Sequence, residues 1–427
     1  MKHTILPLAL TILLHTHPAQ AAEWHIAPHG DDTAPGTLEQ PFATLQRTQQ
    51  TVQPGDTVLI HGGIYHLTDA HISKPHPTAA FTRRIFATIT HLTKSGERGK
   101  PITYRPYQDE KPIFDCTQVT PPGKRVTAFY ITGSWLHLKG ITVTGVQVTI
   151  KTHTQSIAFE SNGSHNILEQ LTIHDTQAIG IYHTRGSHNL FLNCDAWNNW
   201  DHTSEDKKGG NVDGFGCHPD RGSIDNTFRG CRAWNNSDDG FDLINAHEPV
   251  TIEHCWAINN GLTPTQQPAA DGNGFKAGGY AATPANRLPT PIPRHTIRYN
   301  LAVGNKASGF YANHHPGGNQ WNNNSAYRNK ANYNLLNRTP DNTTDTPGYN
   351  HTLHNNLGHR TKAPLINLDP AKSDLKNNTL TGLTDQHFQS LDETQLLQPR
   401  QPDGSLPNTT FLHLLKQPTE TPIGAFP

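Results

Sequence analysis

The sequence predicts an all-β solenoid, a single parallel β-helix, and three observations predict it. A phrase recurs through the middle of the chain at a period near 23–24 residues. A second short strand built on glycine and a large apolar residue follows each copy. The composition also disfavours helices. Of 427 residues only 16% are charged, against ~25% in an ordinary domain. Asn, Thr, His, Gly and Pro fill the place of the Ala, Glu, Lys and Leu that helices use. A leucine-rich repeat has a similar period but needs Leu-x-x-Leu-x-Leu, which is absent, and a propeller blade needs ~40–45 residues.

Taken in order, the chain opens on a processing signal. Lys2 precedes an apolar run from Ile5 to Leu14, and Ala19-Gln20-Ala21 supplies small residues for cleavage. The run falls short of the ~20 residues that span a bilayer. Residues 1–21 are therefore expected to be removed, leaving an exported, soluble protein, periplasmic or extracellular, that starts at Ala22. The early coils are less regular: Asp56 to Gly63, Pro101 to Arg105 and Leu136 to Val143 alternate as half-buried strands do. The repeat then becomes plain. Asn193-Cys194-Asp195-Ala196-Trp197-Asn198-Asn199 returns as Gly230-Cys231-Arg232-Ala233-Trp234-Asn235-Asn236 and as His254-Cys255-Trp256-Ala257-Ile258-Asn259-Asn260. Weaker copies begin at Gln170, Tyr299 and Asn323. Leu171 to Cys194 is 23 residues, and Cys231 to Cys255 is 24. The solenoid is expected over residues 22–365. From 366 to 427 the repeat fades into a Pro-, Gln- and Asp-rich tail that packs along it.

Stacked coils turn equivalent positions into columns. Asn199, Asn236, Asn260, Asn305 and Asn329 form one, where each amide can donate to one neighbour and accept from the other. Cys194, Cys231 and Cys255, continued by Asn300 and Asn324, form a second. Ile181, Phe215, Phe241, Phe275 and Phe310 form a third, assigned to the core. Five cysteines cannot all pair within one chain, and no CxxC suggests zinc. They read as buried small hydrophobes, with one disulfide as the alternative.

A net charge of −1 gives no electrostatic case for nucleic acid or an anionic membrane. Chemistry concentrates beside the second strands. Asp213, Asp239 and Asn273 precede the glycine, Gly216, Asp242 and Lys276 stand two positions after it, and Asp238 adjoins Asp239. Four carboxylates so gathered cannot all stay ionised without a cation. An all-oxygen donor set suits calcium before magnesium. A lysine beside a bound cation loses proton affinity and becomes a usable base, whereas uncompensated carboxylates act the other way.

These motifs resemble polysaccharide lyase family 9, the pectate lyases built on a right-handed parallel β-helix. Asn211 to Gly216, Asp238 to Asp242 and Gly272 to Lys276 carry the resemblance most specifically. Pro35 to Gln46, Pro54 to Thr57, Gly62 to Tyr65 and Arg400 to Pro407 add to it. The resemblance implies Ca2+ held by Asp213, Asp238, Asp239 and Asp242, with Lys276 as catalytic base. The implied reaction is β-elimination in 4-linked galacturonan (pectate, polygalacturonate), leaving 4,5-unsaturated ends. Tyr311, next after Lys276 in its column, and His314 and Arg328 are candidate substrate contacts. A monomer is expected, because a solenoid closes its own core. Other readings stay open: a lyase on another uronate polymer, a polygalacturonase-type hydrolase, or a non-catalytic calcium-binding solenoid that binds glycans.

Overall fold

The computed structural model describes residues 21–77, 85–204, 207–418 and 421–426. The predicted signal segment thus falls, but for Ala21, outside the described residues. Three parallel sheets run along the chain, with twelve, ten and eleven strands among the described residues. Each regular coil gives one short strand to each sheet in turn, so sheet neighbours come from successive coils. This is the parallel β-helix that the repeat predicts. No helix among the described residues is long and apolar enough to cross a membrane.

The local sequence explains each corner. In every Asn-Asn doublet the two residues do different work. The first adopts a left-handed backbone, with φ of 54° at Asn198, 53° at Asn235 and 51° at Asn259. Asn tolerates that region better than most side chains. The second turns inward and joins the ladder. Asn199 Nδ2 donates to Asn236 Oδ1 at 2.9 Å, Asn236 to Asn260 at 3.1 Å, Asn260 to Asn305 at 3.0 Å, and Asn305 to Asn329 at 2.9 Å. The cysteine column works in the same way. Asn300 accepts from the Cys255 N–H at 2.8 Å and donates to Asn324 at 3.2 Å. Each thiol in turn reaches a strand carbonyl, as Cys231 Sγ does to Phe191 O at 3.4 Å. All five cysteines are free and buried.

The aromatic column forms the spine of the core. Phe215, Phe241, Phe275 and Phe310 are at most 1% exposed. Their successive ring centroids lie 5.0, 4.8 and 5.0 Å apart. The preceding glycines answer a need for space, not for turning. A Cβ on Gly240 would stand 2.7 Å from Gly274 O, 2.9 Å from the Asn260 amide nitrogen and 3.0 Å from Ala257 Cβ. Gly214, Gly274 and Gly309 abut the same ladder. Gly240→Ala is accordingly expected to destabilise the protein by ~1–3 kcal/mol, the usual cost of overpacking. Urea denaturation of variant and wild type checks this.

Pairing continues past the expected boundary at 365. Asp374–Lys376 still adds a strand beside Thr352–His354, and Asn378 accepts from the Asn356 side chain at 2.9 Å. Beyond it the tail returns over the second sheet. Phe388, Leu396, Phe411, Leu412, Leu414 and Ile423 pack there with outward residues such as Trp256, Leu301 and Tyr327. A buried ion cluster fastens this layer. Asp195 accepts two hydrogen bonds from Arg232, both at 2.9 Å, and two from Arg400, at 3.0 and 2.6 Å. The third sheet is left to carry the site.

Candidate active site

Where coils enter the third sheet, glycine and the following aromatic both face inward. The residues on either side therefore stand on two outward columns. The first holds Asp213, Asp239, Asn273 and Ser308 and is itself a ladder. Asp213 Oδ1 accepts from the Asp239 N–H at 3.1 Å, Asp239 Oδ1 from the Asn273 N–H at 2.6 Å, and Asn273 Oδ1 from the Ser308 N–H at 3.1 Å. The second column is fixed by strand register: Tyr182, Gly216, Asp242, Lys276, Tyr311 and Asn334 succeed one another.

Asp213, Asp238 and Asp239 each offer an oxygen within 4.8 Å of the others. Lys276 Nζ lies 3.0 Å from Asp239 Oδ2 and 3.2 Å from Asp242 Oδ2. Backbone donors orient the carboxylates further. Asp238 accepts from the Asn211 and Asp271 N–H groups at 2.6 and 3.0 Å, and Asp242 Oδ1 from Ile244 N–H at 2.7 Å. All five side chains are at least nine-tenths buried.

Four carboxylates face one ammonium in a desolvated pocket, and the proton affinities show the imbalance. Burial, then Asp238 and the other carboxylates, hold Asp213 well above the usual carboxylate range. Burial and Asp239 push Asp238 up to about 7. Burial also raises Asp239, against the pull of Lys276. For Lys276, burial alone would lower its proton affinity. Asp239, Asp242, Asp238 and Asp213 outweigh it and hold the ammonium well above its usual value. Asp239 Oδ2, fully buried, faces that ammonium without hydrogen-bond geometry. These residues fit a hard divalent cation: the donors are all oxygen, preoriented and short of positive charge.

That imbalance makes stability depend on pH, and a cation bound among the carboxylates would add to it. A carboxyl whose folded pKa is raised favours folding below its unfolded value, and the benefit fades as pH rises through the folded value. A divalent cation would bind only the ionised form, so its stabilisation would have the opposite slope. Millimolar calcium is expected to raise the melting temperature by several degrees at about pH 8 and hardly at all at about pH 5. Buried histidines such as His183 and His315, held down to about 4 by desolvation, weaken the fold in acid. The difference with and without calcium at each pH is therefore the quantity to measure.

The "Pel9A-like, right handed beta helix region" model matches residues 24–356. The chain belongs to this family. Pectate lyase L of Dickeya chrysanthemi is 31% identical over 399 residues, 92% of this chain and 83% of that protein. Pectate lyase PEL9 of Emericella nidulans is 28% identical over 335 residues, 73% and 74% of the two chains. Among solved structures, a rhamnogalacturonan lyase is 43% identical with a TM-score of 0.87, covering 92% of this chain and 96% of its own. Pectate lyase Pel9A is 28% identical with a TM-score of 0.73, covering 96% of each. This member of the Pel9A-like family is a polysaccharide lyase.

In this lyase the weaker sequence candidates separate. Tyr311 occupies the rung after Lys276 and is half-buried. His314 lies just beyond it but is engaged, its Nδ1 2.7 Å from Asp345 Oδ1. Arg328 is not brought to the site. It follows Ser325–Tyr327 in the second sheet and forms a bidentate pair with Glu393 at 2.9 and 2.7 Å. Its φ of 57° shows why: it fills the left-handed position that Asn198, Asn235 and Asn259 hold in earlier coils. Two further groups flank the site. Tyr182 leans over Gly216, whose Cβ would lie 2.8 Å from its ring, and its hydroxyl meets His218 Nδ1 at 3.1 Å. Tyr182 stands two positions after Gly180, so the column rule itself points to it. Nothing in the sequence singles out His218.

Proposed function

We propose that this lyase cleaves 4-linked galacturonan (pectate) by β-elimination, with Lys276 as the base and Asp213, Asp238, Asp239 and Asp242 as calcium ligands. The observation that carries the reading is the Lys276 ammonium, 3.0 and 3.2 Å from Asp239 and Asp242 and beside the three mutually close carboxylates. Calcium bound there would offset the carboxylates that hold Lys276 protonated, neutralise the substrate carboxylate and acidify the proton at C5.

The chain's own residues do the rest. The ladder bonds of Asp213 and Asp239 and the backbone contacts of Asp238 and Asp242 hold the ligands in place before substrate arrives. Lys276, on the adjacent rung, takes the C5 proton in its neutral form. The electron pair then forms the C4–C5 double bond as the C4 oxygen leaves, so no water is consumed. Residues 1–21 support export as the route to a polymeric substrate.

A second reading concerns the polymer. The 43% identity to a rhamnogalacturonan lyase exceeds the 28% to Pel9A, which favours a backbone where galacturonate alternates with a neutral sugar. The eliminated bond is the same in both. Ultraviolet absorbance of unsaturated ends, followed on polygalacturonate and on rhamnogalacturonan at matched uronate concentration, separates them. Reducing ends without absorbance on both would overturn elimination in favour of hydrolysis. Binding without any cleavage would favour the glycan-binding solenoid.

A further inference from the structure

Elimination needs an acid as well as a base, because the departing C4 oxygen is too basic to leave easily without a proton. In a 4-linked galacturonate the C5 hydrogen and the C4 oxygen project from opposite faces of the ring. The donor must therefore stand across the sugar from Lys276.

The second outward column offers one group on the rung next to Lys276. Register puts Tyr311 directly after Lys276, one strand spacing of ~4.8 Å along the axis. Lys276 bends the other way, toward Asp239 and Asp242 on the preceding coil. A sugar seated over these two rungs meets the amine from one coil and the phenol from the next. The Tyr311 hydroxyl makes no hydrogen bond to the described residues, so its proton is not committed elsewhere. The rivals are committed: the Tyr182 hydroxyl to His218, and His314 to Asp345. Burial, opposed by Lys276, also pushes the Tyr311 phenol up to about 12, which keeps it protonated.

We infer that Tyr311 is the catalytic acid that protonates the departing C4 oxygen, an assignment that rests on the elimination reading above. The step balances without any further reagent. Lys276 Nζ takes the C5 proton, and the C–H pair becomes the C4–C5 π bond. The C4–O bond breaks with its pair on oxygen, and that oxygen takes the Tyr311 proton. The phenolate then regains a proton, and the Lys276 ammonium loses one, through solvent.

The test measures two rates on polygalacturonate with calcium in heavy water: formation of unsaturated ends, and exchange of the C5 hydrogen in recovered substrate. Tyr311→Phe removes only a hydroxyl that has no hydrogen-bond partner among the described residues, so a folded variant is expected, and a thermal melt checks it. The expected result is a kcat lowered ~10²-fold or more, a KM within about three-fold, and C5 exchange that persists or rises. Lys276→Ala should lose exchange and elimination together. A Tyr311→Phe variant with kcat within about three-fold of wild type overturns the assignment. So does one in which exchange and elimination fall in equal proportion, since Tyr311 would then act in binding or in placing Lys276. If Lys276→Ala keeps its exchange, the base is misassigned, yet the elimination-to-exchange ratio of Tyr311→Phe still judges the acid.

Discussion

Lys276→Ala is expected to stay folded in calcium and to lose turnover by ~10²–10⁴-fold, with KM changed by no more than a few-fold. The effect is large because, in the proposed reaction, Lys276 takes the C5 proton and Ala has no group to replace it. The residues hydrogen-bonded or ion-paired to Nζ are carboxylates, and their cluster already accepts from backbone donors. Lys276→Arg should be nearly as inactive, since a guanidinium stays protonated at any working pH. Without calcium Lys276→Ala should also destabilise the protein, because it removes the ammonium that these four carboxylates hold protonated. A variant that keeps turnover within ten-fold of wild type would place the base elsewhere.

Asp195→Ala is expected to lower stability by ~3–5 kcal/mol, the range for removing one partner of a buried ion pair. Asp195 is 8% exposed and carries both Arg232 and Arg400. Its loss leaves two guanidinium groups facing each other at the seam between solenoid and tail. Arg232 Nη1 also holds Leu396 O and Gln398 O at 3.1 and 2.9 Å, so the tail should loosen first. Limited proteolysis should then release the segment after about residue 380 before the solenoid is cut. A loss below ~1 kcal/mol, with the tail still protected, would show that the apolar layer alone holds it.

How far the sequence could be read follows from what a repeat can encode. Columns come directly from spacing, so the Asn ladder, the thiol-to-amide ladder and the phenylalanine spine were legible as soon as the phrases were aligned. Asp213, Asp239, Asp242 and Lys276 were legible for the same reason, since stacking alone sets their proximity. Arg328 shows the cost of ignoring that rule. Aligned with Asn198, Asn235 and Asn259, it belongs to a left-handed corner of the second sheet, far round the coil from Lys276. Contacts that depend on side-chain direction were out of reach. Tyr182 tilts across the gap left by Gly216, and His218 meets it from outside the column. The Asp195, Arg232 and Arg400 cluster joins positions about two hundred residues apart, and no period connects them.

Calcium-assisted elimination by Lys276 is decided by the ultraviolet absorbance of polygalacturonate, and of rhamnogalacturonan beside it, incubated with wild type and with Lys276→Ala, each with calcium and with chelator. Absorbance from unsaturated ends is expected to rise on at least one polymer with wild type and calcium only, and in none of the other three combinations. Undiminished absorbance with Lys276→Ala, or with wild type in chelator, would contradict that mechanism.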